Sequence, residues 1–194
     1  MPQSDILARP GPVDTDDLDI ALLFRQYART VARWAARLGG PGIDVEDVVQ
    51  DVFMIAGRRL THFTGEAKVS TWLFRATERV VQGLRRKQRL RRWLARSGDE
   101  VSPHLTSQRP TPVEEFERYQ ATVAVYRILD GMGAKYRRVM ILFELEGLST
   151  DEIAQLLGAR QATVRVWLFR GRAQFLAEKE RLEQRRPDGA GRSA

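Results

Sequence analysis

The sequence predicts an all-α protein of two small helical domains joined by a flexible linker, the C-terminal one a helix-turn-helix. Three observations carry that expectation. Apolar residues recur at the i, i+3, i+4, i+7 spacing of a helix's buried stripe. Sustained period-two alternation is absent, as are hairpin dipeptides between β-branched runs. The helical pattern lapses over 97–112, where Ser97-Gly98-Asp99, Ser102-Pro103 and Pro110-Thr111-Pro112 gather turn-forming residues. The expected divisions are a flexible acidic leader 1–19, a first domain 20–96, the linker 97–112, a second domain 113–183 and a disordered tail 184–194.

The leader carries Asp5, Asp14, Asp16, Asp17 and Asp19 against Arg9, with Pro2, Pro10 and Pro12 and little apolar surface, a composition that does not support a core. A first helix is predicted from the stripe Leu22, Leu23, Tyr27, Val31, Trp34 and Leu38, ended by Gly39-Gly40-Pro41-Gly42. In the second, Val45, Val48, Val49, Val52, Phe53, Ala56 and Leu60 share one face, and Asp44 can cap the start. Asp47, Gln50, Asp51 and Met54 fall opposite the valines and form an acidic-polar ridge. The turn Phe63-Thr64-Gly65-Glu66 leads to a third helix capped by Ser70, with Trp72, Ala76, Val80 and Leu84 facing inward. Gly83 within it costs about 1 kcal/mol relative to Ala. That helix ends in Arg79, Arg85, Arg86, Lys87, Arg89, Arg91 and Arg92, with no acid after Glu78.

Beyond the linker, Thr111-Pro112-Val113-Glu114 reads as a capping box with Pro at the first helical position. Helix continues to about Leu182, broken at Gly131-Met132-Gly133 and at Gly147. Leu148 to Gly158 is a short helix with its own Ser149/Glu152 capping box and a glycine stop, and Thr163-Val164-Arg165 begins another after a tight turn. Ile153, Ala154, Leu157, Val164 and Leu168 supply the packing between the two. On the second, Gln161, Arg165, Phe169 and Arg172 recur at i, i+4, i+8 and i+11, a face too polar for core and furnished with the donors that a major groove accepts. The run 159–177 holds no acid.

The totals narrow the classes. A net charge of +7 and a pI near 10.3 favour a polyanionic partner. No apolar run approaches the ~18 residues of a membrane span, so direct membrane insertion is not expected. The first residues lack a secretory pattern and there are no cysteines, which together point to the cytoplasm. Glu46, Asp47 and Asp51 could hold a metal on one helix face, but a hydrolytic site needs further converging ligands and a base. His62 and His104 are the only histidines and lie in separate segments, and no phosphate-cradling glycine loop occurs. No enzymatic activity, metal or cofactor is expected.

In order, these blocks resemble the extracytoplasmic-function (ECF) group of bacterial RNA polymerase sigma factors. The segment 44–53 is similar to the family's core-polymerase-binding helix, 63–66 through 70–75 to its promoter-melting turn and helix, and 136–139 with 147–172 to its C-terminal DNA-binding domain. The resemblance covers roughly 20–180 and makes the two domains sigma-two-like and sigma-four-like. It implies an alternative sigma factor that binds core RNA polymerase, recognises minus-ten and minus-thirty-five promoter elements and promotes DNA opening. By the same resemblance, Asp47, Gln50, Asp51 and Met54 face the polymerase β′ clamp helices. Phe63, Gly65, Glu66, Lys68 and Trp72 belong to the capture of a flipped minus-ten base, and Arg75, Arg79, Arg85 and Arg86 to the phosphates beside it. Arg160, Gln161, Thr163, Arg165, Val166, Phe169, Arg170 and Arg172 belong to the minus-thirty-five contact. The implied partners are core polymerase, through its β′ clamp helices and β subunit, promoter DNA and an anti-sigma factor.

The chain departs from the family's pattern at several positions. Arg79 and Gly83 stand where Asn and Asp are frequent, a proline usual before the fourth-region helices is missing near Gly133, and Val166 and Trp167 replace a usual small polar residue and a usual Arg. The rival to this reading, a stand-alone helix-turn-helix regulator, accounts for 149–172 but leaves the acidic ridge and the aromatic turn without a purpose.

Overall fold

The computed structural model describes residues 19–59, 68–95 and 113–184. Among them it shows seven α-helices, one π-helical turn and no strand, so the protein is all-α. The chain divides into two compact units, Met1–Arg109 and Pro110–Ala194.

In the first unit α1 (Ile20–Gly39), α2 (Val45–Arg59) and α3 (Val69–Ala95) pack pairwise around one core. Asp19 caps α1 through its side chain on the Ala21 N–H at 3.1 Å. The helix stops where Gly40 takes φ 76° and Gly42 φ 88°, values that favour glycine. Asp44 caps α2, accepting from the N–H groups of Glu46 at 3.0 Å and Asp47 at 3.1 Å. Leu23, Tyr27, Val31, Trp34 and Leu38 of α1 meet Val48, Val52, Phe53 and Ala56 of α2 and Leu73, Phe74 and Val81 of α3, all buried. Trp34 and Phe74 sit edge to face with centroids 5.2 Å apart, an arrangement that aromatic quadrupoles favour.

Three expectations change. Leu22 is 44% exposed and lies outside the core. Ser70 lies inside the first turn of α3, because the helix begins at Val69 and its Trp72 N–H already reaches the Lys68 carbonyl. The buried face of α3 is Leu73, Phe74, Thr77 and Val81, one residue on from the expected Trp72, Ala76, Val80 and Leu84, which are half-buried. Thr77 explains the slip: a polar letter in the pattern, it is fully buried with its hydroxyl donated to the Leu73 carbonyl at 2.8 Å.

The second unit is assembled on its last helix. α4 (Val113–Gly131), α5 (Ala134–Met140) and α6 (Thr150–Leu157) each contact α7 (Gln161–Gln184), and the π-helical turn Ile141–Leu145 joins α5 towards α6. The breaks fall where the glycines predicted them, at 131–133 and at Gly147 with φ 70°. The Ser149/Glu152 capping box is present in both directions, and Gly158 ends α6 at φ 64°. Tyr126, Leu129, Val139, Ile141, Leu142, Ile153, Leu156, Val164 and Leu168 form the core. Gly171 is buried against α5, where an added Cβ would stand 3.0 Å from Met140 Cγ and 3.6 Å from the Tyr136 carbonyl oxygen. α7 begins at Gln161 and reaches Gln184, longer at both ends than the sequence suggests. The leader, the turn 60–67, the linker with Thr111 and Pro112, and the tail lie outside the described residues.

Candidate functional site

α2 carries two faces. With Val48, Val52, Phe53 and Ala56 buried, helical geometry turns Glu46, Asp47, Gln50, Asp51 and Met54 to solvent, and all five are exposed. Met54 is 49% exposed, and Phe24, 48% exposed, meets Phe53 edge-on with ring centroids 4.9 Å apart. The ridge is therefore acidic in its first two turns, with apolar Met54 next and Arg58 exposed on the same side in the last turn. Glu46 and Asp47 lie in the first turn, where their charge also favours the helix dipole.

α3 sorts its charge in the same way with the opposite sign. Arg75, Arg79, Arg86 and Arg89 recur on the side opposite Leu73, Thr77 and Val81, and all four are exposed. Gln82 in the same stripe donates to Glu78 at 3.1 Å. Lys68 is exposed and Trp72 half-buried at the start of the helix. Arg85, grouped by the sequence with these arginines, does something else: its Nη1 donates to the Gly39 carbonyl at 2.7 Å, while Gln88 donates to the Gly42 carbonyl at 2.8 Å. Both satisfy carbonyls where α1 has ended, so the third helix caps the first. Phe63, Gly65 and Glu66 lie outside the described residues.

In the second unit α6 and α7 form the helix-turn-helix. The turn is closed by the Gly158 cap, with the Ala159 N–H bonded back to the Ala154 carbonyl at 2.9 Å, and Val164 and Leu168 are buried beneath. The polar stripe expected on α7 is rotated in space. Gln161 is half-buried, and Arg172 turns to the π-helical turn, binding Glu144 at 2.9 Å with its guanidinium 5.4 Å from the Phe143 ring centroid. The outward face is Ala162, Val166, Phe169 and Ala173, all exposed, at i, i+4, i+7 and i+11. Arg165 and Arg170 flank it on either side, both exposed, with Arg160 exposed just before the helix. Thr163 and Trp167 are half-buried. Arg170 also hydrogen-bonds Tyr136, and this contact, with Lys135 close to the same ring, holds the phenol below its ordinary pKa. Sequence reasoning missed the Glu144–Arg172 and Tyr136–Arg170 contacts, which join residues far apart in the chain. The 162/166/169/173 stripe was there to be found, but its alanines carry no charge to draw the eye.

Among the described residues no group of His, Asp or Glu is arranged to hold a metal, and no helix is long and apolar enough to cross a membrane.

Comparison with known proteins decides the family. The Sigma-70 region 2 model matches residues 23–91 and the Sigma-70, region 4 model residues 122–175, one in each unit. The RNA polymerase sigma factor NccH of Alcaligenes xylosoxydans xylosoxydans is 30% identical over 162 residues, covering 84% of this chain and 87% of NccH. The ECF RNA polymerase sigma-E factor of Escherichia coli K12 is 30% identical over 157 residues, covering 78% and 81%. The chain belongs to the ECF group of the sigma-70 family. As a sigma factor it acts in promoter recognition and transcription initiation. Its fold is similar to that of CnrH, solved in complex with the cytosolic domain of CnrY, with a TM-score of 0.53 and 25% identity over 84% of this sigma factor and 88% of CnrH. The region 2 match spans the acidic ridge of α2 and the basic stripe of α3, and the region 4 match spans the outward face of α7.

Proposed function

We propose that the first unit binds core polymerase through the α2 ridge, Asp47, Gln50, Asp51 and Met54, and handles the minus-ten element with the turn at 60–69 and the arginines of α3. In this reading the second unit lays α7 in the major groove of the minus-thirty-five element. The observation that carries it is the separation of charge on neighbouring helices, with carboxylates outward on α2 and guanidinium groups outward on α3, each opposite a buried apolar face. An acidic surface repels DNA, so the ridge has a protein partner, whereas exposed arginines in a stripe release counterions from phosphate. Arg85 contributes by holding α3 against the end of α1, and Arg75, Arg79 and Arg86 remain as the phosphate-facing set. Phe63, Gly65 and Glu66, with Lys68 and Trp72, form the pocket for an unstacked base.

The protein itself breaks no bond in this scheme; RNA synthesis belongs to the polymerase, and the factor works in the cytoplasm. An anti-sigma factor holds it inactive by covering the same faces, a role supported by the likeness to CnrH, whose solved complex contains CnrY. Binding of the full chain to purified bacterial core polymerase, compared with the Asp47→Lys/Asp51→Lys variant, tests the assignment. The reversal should weaken binding at least tenfold, on the order of 1.4 kcal/mol, while the exposed positions leave folding intact. Unchanged affinity would refute the ridge.

A further inference from the structure

The outward face of α7 poses a chemical question. Phe169 is 77% exposed and Val166 47% exposed, and Ala162 and Ala173 extend the same strip along about three helical turns. Single exposed apolar residues need no explanation, but this strip occupies the most projecting part of the helix. Its inner face is fully occupied by Val164, Leu168 and Gly171 in the core. Arg165 and Arg170 border the strip, and no acid occurs from 159 to 177. Cationic borders around an uncharged centre fit a polyanion with an apolar feature between its phosphates better than they fit an apolar protein groove.

A DNA major groove offers one such feature on its base edges. Adenine, guanine and cytosine present donors and acceptors there, whereas thymine adds a C5-methyl group. Valine and phenylalanine have no side-chain hydrogen-bonding atoms. Set against a donor or acceptor edge they leave it unpaired at a cost, and set against the methyl they remove two apolar surfaces from water. We propose that Val166 and Phe169 are specificity-determining residues that read thymine methyl groups in the upstream promoter element, between arginines that hold phosphate or guanine. At i and i+3 their side chains are roughly 5–6 Å apart, against a rise of about 3.4 Å per base pair. The two therefore address thymines one or two steps apart. This inference rests on the assignment of α7 to the minus-thirty-five element.

The test uses the full-length protein with core polymerase and promoter duplexes randomised in the upstream element. Wild type should select thymine at two positions one or two steps apart, and Val166→Ser with Phe169→Ala should lose that preference while still binding core polymerase. Replacing the selected thymines by deoxyuridine removes the methyl groups and nothing else. Wild-type binding should fall roughly three- to fourfold per methyl, as expected for one buried carbon, and the double variant should be indifferent. Indifference of the wild type to uracil, together with upstream selection that Arg165→Ala abolishes, overturns methyl reading and leaves α7 as the promoter helix. Upstream selection untouched by Arg165→Ala overturns both assignments. A Phe169→Ala variant that loses a protein partner but selects wild-type sequences gives the strip to that partner and overturns the proposal.

Discussion

The two long helices each carry a glycine in mid-course, and the two glycines do opposite things. Gly83 of α3 is half-buried, yet an added Cβ there would meet nothing within 4 Å. Gly171 of α7 is buried, and an added Cβ would stand 3.0 Å and 3.3 Å from Cγ and Sδ of Met140. One glycine is conformational slack in a helix that runs on past its core residues. The other is the point where α7 touches α5, on the far side of the helix from Val166 and Phe169. Identical letters in similar helices thus carry different constraints, and only the neighbour across the gap distinguishes them.

Gly171→Leu should break the comparison most forcibly. Forcing a branched side chain into the Met140 contact should destabilise the protein by about 1–3 kcal/mol, read as a lower urea midpoint, and should lower upstream promoter binding by displacing α7. A neutral result would mean that the α5–α7 contact is looser than its spacing implies. Arg85→Ala comes next. Loss of its hydrogen bond to the Gly39 carbonyl should cost about 1–2 kcal/mol, whereas Arg86→Ala one position on should stay within about 0.5 kcal/mol. Equal, negligible costs would return Arg85 to the phosphate-facing set. The smallest effect has the opposite sign: Gly83→Ala should raise stability by about 0.4–1 kcal/mol, measured by thermal unfolding. Destabilisation there would reveal a close approach that the open space around Gly83 does not show.

Much of the fold was legible because helix ends are written locally. Asp44, Ser149 with Glu152, Gly40, Gly147 and Gly158 act within a turn of themselves, and each sits where its chemistry placed it. The valine stripe of α2 was equally plain, since Val48, Val52 and Ala56 are apolar and evenly spaced. Helix phase was harder wherever a buried residue is polar or an exposed one apolar. Thr77 hid the inner face of α3, and Leu22 suggested a core position that the fold leaves exposed. The candidate surfaces were legible as charge segregation but not as individual contacts. Arg85 and Arg172 read alike as DNA-facing cations, and their partners Gly39 and Glu144 lie far off in the sequence. The family match then joins the two units under one role that neither helix pattern states alone.

The π-helical turn between α5 and α6 has a consequence of its own. The Glu146 N–H bonds to the Ile141 carbonyl five residues back at 3.0 Å, and the Leu148 N–H reaches the Leu142 carbonyl at 3.0 Å. The wider loop holds more residues per revolution than an α-helix, so it works as a phase shifter. It sets the azimuth at which Phe143 and Glu144 meet Arg172. Adding or deleting one residue here would swing α6 about the axis of α5 by roughly 100°, the angle between successive α-helical residues. Chain length through 141–148 is thus an aiming parameter, and substitutions there should be tolerated far more readily than a change in count.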